Sequence, residues 1–241
     1  MQSQMTQIDM HKKTAPRQNR ASMKRPVHQS VYENLRDQLL FGDLTPGQAV
    51  TIQGLVEELG AGMTPVREAL RRLVANGALH MMDNRRITVP TMTIEDVEQL
   101  EFMRKTIEPS LAGRAVAFVD DDMLYELNAR DDALNTAISK GDIKGYLSHN
   151  YHFHAYLNEA ARAPILKATV DRMWLRFGPS LRVVCGRYGT FNLPDKHADL
   201  LDALSTKNKA AAENAMLEDV AQGMAQIRET LVETQIANRF D

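Results

Sequence analysis

Tyr146, Asn150 and His154 recur at i, i+4 and i+8 through the segment GYLSHNYHFHAYLNEA, so a helix there carries a phenol, an amide and an imidazole on one stripe. His197 and Asp219 stand in two later segments, and facing helices of a bundle build metal and ligand sites from residues that project inward in this way. His149 and His152 fall off the stripe and read as surface or interface histidines. Spacing alone leaves a plainer account open for each residue: His154 as a hydrogen-bonded core histidine, His197 as an exposed residue near a helix start, Asp219 as one more acid among many. Arg104 and Glu108, four apart, equally make an intrahelical ion pair worth a few tenths of a kcal/mol.

A second chemistry, the binding of an anionic surface, is suggested by GMTPVREALRRL at 62–73. Thr64 reads as an N-cap and Pro65 as the first helical residue, where its missing N–H has no partner anyway. Val66, Leu70 and Leu73 make the apolar face, while Arg67, Arg71 and Arg72 spread over the remainder with the single acid Glu68. Charge alone also describes a merely solvated face, so the neighbouring elements decide. Val31, Leu35 and Leu39 predict a helix over 27–41 that ends at Gly42, and GDLTPGQ is a turn. Thr51 caps a short helix with Ile52, Leu55, Val56 and Leu59 inward and Gly60 as its stop. Two short helices with a tight glycine-containing connection predict helix-turn-helix. ALHMMDNRRITVP then predicts a small β-hairpin wing that turns at Asp83-Asn84 and carries Arg85 and Arg86.

Beyond Pro90 the pattern changes to long helices without strand signals. Thr93 caps a helix from about 94 to 118 with Asp96 in its first turn, and the acids at 120–122 open a second to Ser139. Gly141-Asp142 begins a third through Ala161, and Pro164 a fourth to about Cys185 with a bend at Gly178-Pro179. Pro194 begins a short fifth and Lys207 a sixth to about Glu233. The expected class is mainly all-α: a winged helix-turn-helix over 26–91 and an antiparallel six-helix bundle over 92–236.

Composition sets the outer bounds. With 241 residues, 44% hydrophobic and 25% charged, the chain suits two globular domains. It has no apolar run of membrane-spanning length and no secretory leader pattern, so a cytoplasmic location and no membrane partner are expected. The single Cys185 rules out an intrachain disulfide framework. The net charge of −2 hides an asymmetry, because residues 1–25 hold six Lys/Arg against one acid. That Pro-containing basic arm cannot bury enough surface to fold alone and is expected to be disordered, either a solvated tail or a segment that tracks nucleic acid.

These motifs resemble the GntR transcriptional regulators, specifically the FadR subfamily with its FCD ligand-binding domain. LRDQLLFGDLTPGQAV and LVEELGAGMTPVREALRRLVANGAL are similar to the winged-helix signature, TPVREALRRL being its most specific portion; LEFMRKTIEPSLAGRA, NYHFH and HADLLDAL are similar to FCD segments. The resemblance implies that Arg36 and Arg67 touch operator DNA and that Thr64 contacts phosphate, with Arg71, Arg85 and Arg86 as further candidates. Two departures stand out: Gly62-Met63 replaces the usual Ser-Arg, and Arg85-Arg86 the usual Arg-Gly. Losing an arginine at the helix start implies a different operator sequence.

For the bundle, the resemblance implies four metal-ligand positions, here Asn150, His154, His197 and Asp219, where the family holds Asp or Asn and three His. Two imidazoles and one carboxylate still suit a divalent Zn, Ni, Mn or Fe, with Asn150 either as a weak neutral oxygen ligand or as a hydrogen-bond donor behind the ligands. The resemblance also implies that Arg104 faces the ligand cavity, so Arg104, Tyr146 and Asn150 are the effector-binding candidates, for a small organic acid. The expectation is a homodimeric, ligand-responsive regulator, a repressor on a palindromic operator, and not an enzyme. The alternative is a metal-dependent enzyme, because a 2-His-1-carboxylate set also describes non-haem iron oxygenases. A helical ligand sensor without DNA binding is a third reading. An oxygenase has no use for a helix-turn-helix, a wing and a basic arm.

Overall fold

The structure, a computed structural model, describes residues 26–188 and 196–237. The basic arm expected at 1–25 and the helix start expected at Pro194 lie outside the described residues.

Helix α1 (Val27–Leu40) buries Val31, Leu35, Leu39 and Leu40 against α3 (Met63–Ala75), which contributes Val66, Ala69, Leu70 and Leu73. Taking each such leucine out of water contributes about 1.5–3 kcal/mol. Between them, α2 (Ile52–Leu59) starts where Thr51 Oγ1 accepts from Gly54 N at 3.1 Å and ends at Gly60, whose φ of +58° needs no Cβ to be accommodated. The wing is more than a hairpin. Strands β2 (His80–Met81) and β3 (Ile87–Thr88) pair antiparallel, and β1 (Ala49–Val50) adds to the other side of β3, giving the order β1-β3-β2. A two-residue strand is too short to leave a period in the sequence, so β1 was unreadable there.

Helix α3 begins two residues before the expected position, which corrects the capping assignment. Gly62 is the N-cap, no side chain caps the helix, and Thr64 and Pro65 both lie inside the first turn. Proline is tolerated there because the first four helical N–H groups have no intrahelical acceptor.

The bundle follows the expected order. Helix α4 (Ile94–Ala115) starts in a full capping box of Thr93 with Asp96, and its last turn tightens into a 3₁₀ segment at Val116–Phe118. Next come α5 (Asp121–Lys140), capped by Asp120, and α6 (Ile143–Ala160), capped by Asp142. Helices α7 (Pro164–Tyr188), α8 (Lys196–Ser205) and α9 (Lys209–Ala237) complete it, with α9 packed along α4 and α8. Pro179 lies within α7. Beside it Gly178 lets α7 approach α1, since a Cβ there would come 3.3 Å from Leu40 Cα.

That approach is part of a junction between winged helix and bundle. The Phe41 ring meets Tyr151 at 6.0 Å and His152 at 5.8 Å, and Lys144 Nζ pairs with Asp43 Oδ2 at 2.7 Å. A Cβ on Gly42 would overlap Arg182, which is why the chain turns there on glycine with φ of +75°.

Candidate functional sites

Three bundle helices bring one cluster together. His154 on α6 is 1% exposed and His197 on α8 is 5% exposed, while Asp219 on α9 is half-buried beside them. His154 Nε2 lies 3.3 Å from His197 Nε2 and 3.2 Å from Asp219 Oδ2, and His197 Nε2 lies 3.9 Å from Asp219 Oδ1. Neighbouring ligand atoms held about 2.1 Å from one ion stand about 3.0–3.4 Å apart. The cluster is therefore close to the spacing of a coordination shell, slightly wide on one edge.

The groups behind the imidazoles fit as well. His197 Nδ1 donates to Asp131 Oδ1 at 3.0 Å, and Asn135 Nδ2 donates to the other oxygen at 3.0 Å. A carboxylate only accepts, so the proton sits on Nδ1 and leaves Nε2 as a lone-pair donor toward the cluster. The His154 ring has the same arrangement, stretched: Glu108 Oε2 stands 3.8 Å from Nδ1, which has no hydrogen-bond partner although it is fully buried. Phe153 stacks on His197 with centroids 3.9 Å apart and fixes the ring plane.

Charge bookkeeping points the same way. Arg104, 4% exposed, is the guanidinium in this region, against the carboxylates of Glu108, Asp131 and Asp219. Arginine and carboxylates alone, one positive against three negative charges, leave a deficit of two that protonated imidazoles or a divalent cation cancel. Burial by itself would raise the Asp219 carboxyl, but His154, His197 and Arg104 hold it down at about 2, so it is ionised at any physiological pH. Burial also raises the Tyr146 phenol, with the thiol of Cys185 and the Asp219 carboxylate adding to the shift.

Not every expected site residue sits as foreseen. Arg104 does not offer an open fork: Nε and Nη2 both bond Glu108, at 2.5 and 3.3 Å, and Nη1 faces Met224 Sδ at 3.5 Å. The ion pair expected as the plain alternative does form, deep in the bundle, under the rings of Phe177 and Trp174. Asn150 is half-buried one turn before His154, and its side chain makes no hydrogen bond with the described residues. Asp131, Glu108 and Asn158 were missed as site residues, yet each left a signal. Asp131 interrupts the buried stripe Met123, Leu127, Leu134, and Asn158, whose Oδ1 is buried without a partner, continues the Tyr146, Asn150, His154 stripe by one more i+4 step.

On α3, Thr64, Arg67 and Arg71 are exposed, as are Arg85 and Arg86 in the wing turn. Arg71 bonds Glu68 at 2.9 Å, and Arg72 is withdrawn from this surface, lying over the Tyr32 ring at 3.8 Å and donating to Gln29. Arg85 has φ of +63°, held by Arg85 N donating to Met82 O and Met82 N donating to Arg86 O, both at 2.8 Å. Arg36 stands apart from this helix. It sits on α1 at the junction with the bundle, half-buried, with Nε and Nη2 both donating to Asp37 Oδ1 and Tyr151 nearby. Any contact of Arg36 with a phosphate or a base competes with this pairing to the adjacent Asp37.

Comparison with known proteins agrees with both halves. Residues 27–89 match bacterial regulatory proteins of the gntR family, and residues 99–222 match the FCD domain. The chain is 30% identical over 198 residues to the HTH-type transcriptional regulator McbR of Escherichia coli (strain K12), covering 81% of this chain and 90% of that protein. It is 26% identical over 221 residues to the HTH-type transcriptional repressor RspR of the same organism, covering 85% and 91%. The solved structure of E. coli McbR/YncC superimposes with a TM-score of 0.80 at 28% identity, over 86% of this chain and 99% of that one. The exposed recognition helix, the wing and the helical bundle with its buried cluster thus have one common explanation: the chain belongs to the GntR family of transcriptional regulators, with an FCD effector domain, and is not an enzyme.

Proposed function

We propose that residues 26–91 bind a palindromic operator as one half of a homodimer, and that residues 92–236 bind a small organic acid that changes the affinity for that operator. The DNA-binding half rests on the exposed first turns of α3, where backbone N–H groups, the Thr64 hydroxyl and Arg67 offer themselves together to a groove. Arg71, Arg85 and Arg86 are the flanking contacts, and the basic segment 1–25 adds phosphate attraction. Symmetry of the dimer matches symmetry of the operator.

The effector half rests on the His154, His197 and Asp219 cluster with its charge deficit. These side chains would hold a divalent metal, with Asn150 as an ancillary oxygen donor, and such a metal would supply Lewis acidity toward a carboxylate of the effector. Asp131 orients His197, Glu108 faces His154, and the Tyr146 phenol lies buried near Asp219. Arg104 acts through charge rather than as a clamp, because its fork is occupied by Glu108. Release of DNA requires the effector to prefer the DNA-incompetent arrangement; a shift from 99:1 to 1:99 takes about 5.5 kcal/mol of differential affinity.

The test is selection of bound duplexes from a random pool, followed by titration with a panel of mono-, di- and hydroxycarboxylic acids. A palindrome should be enriched, and an acid should release it from zinc-loaded protein but not from chelator-treated protein. Failure to retain any duplex at low salt contradicts the DNA half. An acid that works equally on both preparations contradicts the metal half.

A further inference from the structure

A cavity of about 280 Å³ lies away from the charged cluster, where the connection between the winged helix and the bundle crosses α7 and α9. Its walls are Pro46 from the turn before β1, Met92 from the connection, Val183 from α7, and Ile227 and Leu231 from α9. Among the described residues, no Lys, Arg, Asp or Glu lines it. The hydroxyls of Thr230 and Thr234, also in the wall, are engaged with carbonyls of their own helix.

Ser180 differs from them. It lines the same cavity, its residue is 7% exposed, and its hydroxyl makes no hydrogen bond with the described residues. A serine inside a helix commonly turns its hydroxyl back onto the carbonyl four residues earlier. Here it is left for an occupant, directly after Pro179, which itself removes one backbone N–H from the ladder of α7. An apolar cavity with one convergent polar group is the form of a small-molecule site.

We infer that this junction cavity binds a small uncharged molecule, mainly hydrocarbon with one hydroxyl or carbonyl oxygen that bonds Ser180. An anion is disfavoured, because no charge among the described wall residues offsets the cost of removing its own charge from water. The site is thereby chemically complementary to the charged cluster, which selects the opposite kind of ligand. Its position gives it a consequence for DNA binding. Gly47 N donates to Val89 O at 2.9 Å and so ties the Pro46 turn to the strand leading into the connection, and Thr91 Cγ2 lies within 3.6 Å of where a Gly47 Cβ would be. An occupant wedged between this turn and α7 therefore biases how the wing sits on the bundle.

The experiment titrates the full chain with 1-hexanol and, separately, with hexanoate, by calorimetry and by methyl NMR of valine, isoleucine and leucine labels. Saturable 1-hexanol binding is expected, with the methyls of Val183, Ile227 and Leu231 shifting together, and hexanoate binding at least about tenfold more weakly. Ser180→Ala should weaken 1-hexanol by about fivefold, the worth of one neutral hydrogen bond. Val183→Trp, at a 43% exposed position on the rim, should block it while helical circular dichroism stays unchanged. Both results should persist after chelator treatment, which separates this site from the metal cluster. Absence of saturable 1-hexanol binding, or binding indifferent to both substitutions, overturns the inference.

Discussion

His154 Nε2 and His197 Nε2 face each other 3.3 Å apart, each ring backed on its Nδ1 side by a buried carboxylate, Glu108 for one and Asp131 for the other. Two imidazole nitrogens at this separation either share a single proton or face a common cation. The negative surroundings favour the cation.

Replacing His154 or His197 by Ala removes one edge of the cluster. Elemental analysis of zinc-reconstituted protein should fall from about one ion per chain to well under half of that. Equal zinc in parent and variant would remove the site from the account.

Asp131 should matter without touching the ion. Asp131→Leu frees the His197 ring and should weaken zinc affinity, measured by competition with a chromogenic chelator, by about 10- to 100-fold. Asp131→Asn keeps an oxygen at the same place and should lose less. If the two substitutions behave alike, the carboxylate is not orienting the ring.

The wing turn carries a measurable strain. An L-residue at φ of +63° costs about 1–2 kcal/mol, and glycine returns part of that gain as chain entropy, so Arg85→Gly should stabilise the fold by up to about 1 kcal/mol in urea unfolding. The same change should weaken operator binding, because an exposed guanidinium leaves the wing. Lower stability with unchanged DNA affinity would mean that the turn holds Arg85 for a reason internal to the fold.

Trp174 connects the buried cluster to the winged helix. It lies 5.3 Å from His154 and 5.4 Å from Tyr151, and Tyr151 meets Phe41 at 6.0 Å. Tyr151→Leu should leave zinc content and operator affinity close to those of the parent while reducing effector-driven release of DNA by about 2- to 30-fold, equivalent to about 0.5–2 kcal/mol of coupling. Undiminished release would exclude this ring contact from the response.

Much of this architecture is legible in the chain because caps and stops are local chemistry. Thr51, Thr93, Asp120 and Asp142 all start helices in the structure, and the 3.6-residue periods between them fix which faces are buried. The cluster is legible in part, through the His154 stripe. What the sequence conceals depends on tertiary partners. Asp131 looks like surface charge until α8 brings His197 to it. The start of α3 lies two residues ahead of the Thr64 cap position because glycine at the N-cap satisfies nothing with a side chain and leaves no signature. Spacing at i+4 does not reveal whether the Arg104 fork is open to the cavity or bound by Glu108, and the structure pairs it with Glu108.

The central claim, that α3 enters a duplex groove and reads it through Arg67, is tested most directly by fluorescence anisotropy with the selected operator. Arg67→Ala should weaken binding by at least about tenfold, since a guanidinium on a base edge discriminates by about 1–3 kcal/mol. Thermal unfolding should change little, because Arg67 is exposed. Arg114→Ala, which removes the same charge from an exposed position on α4, should bind like the parent. Parent-like affinity of Arg67→Ala for the operator, with its sequence preference intact, would contradict the account.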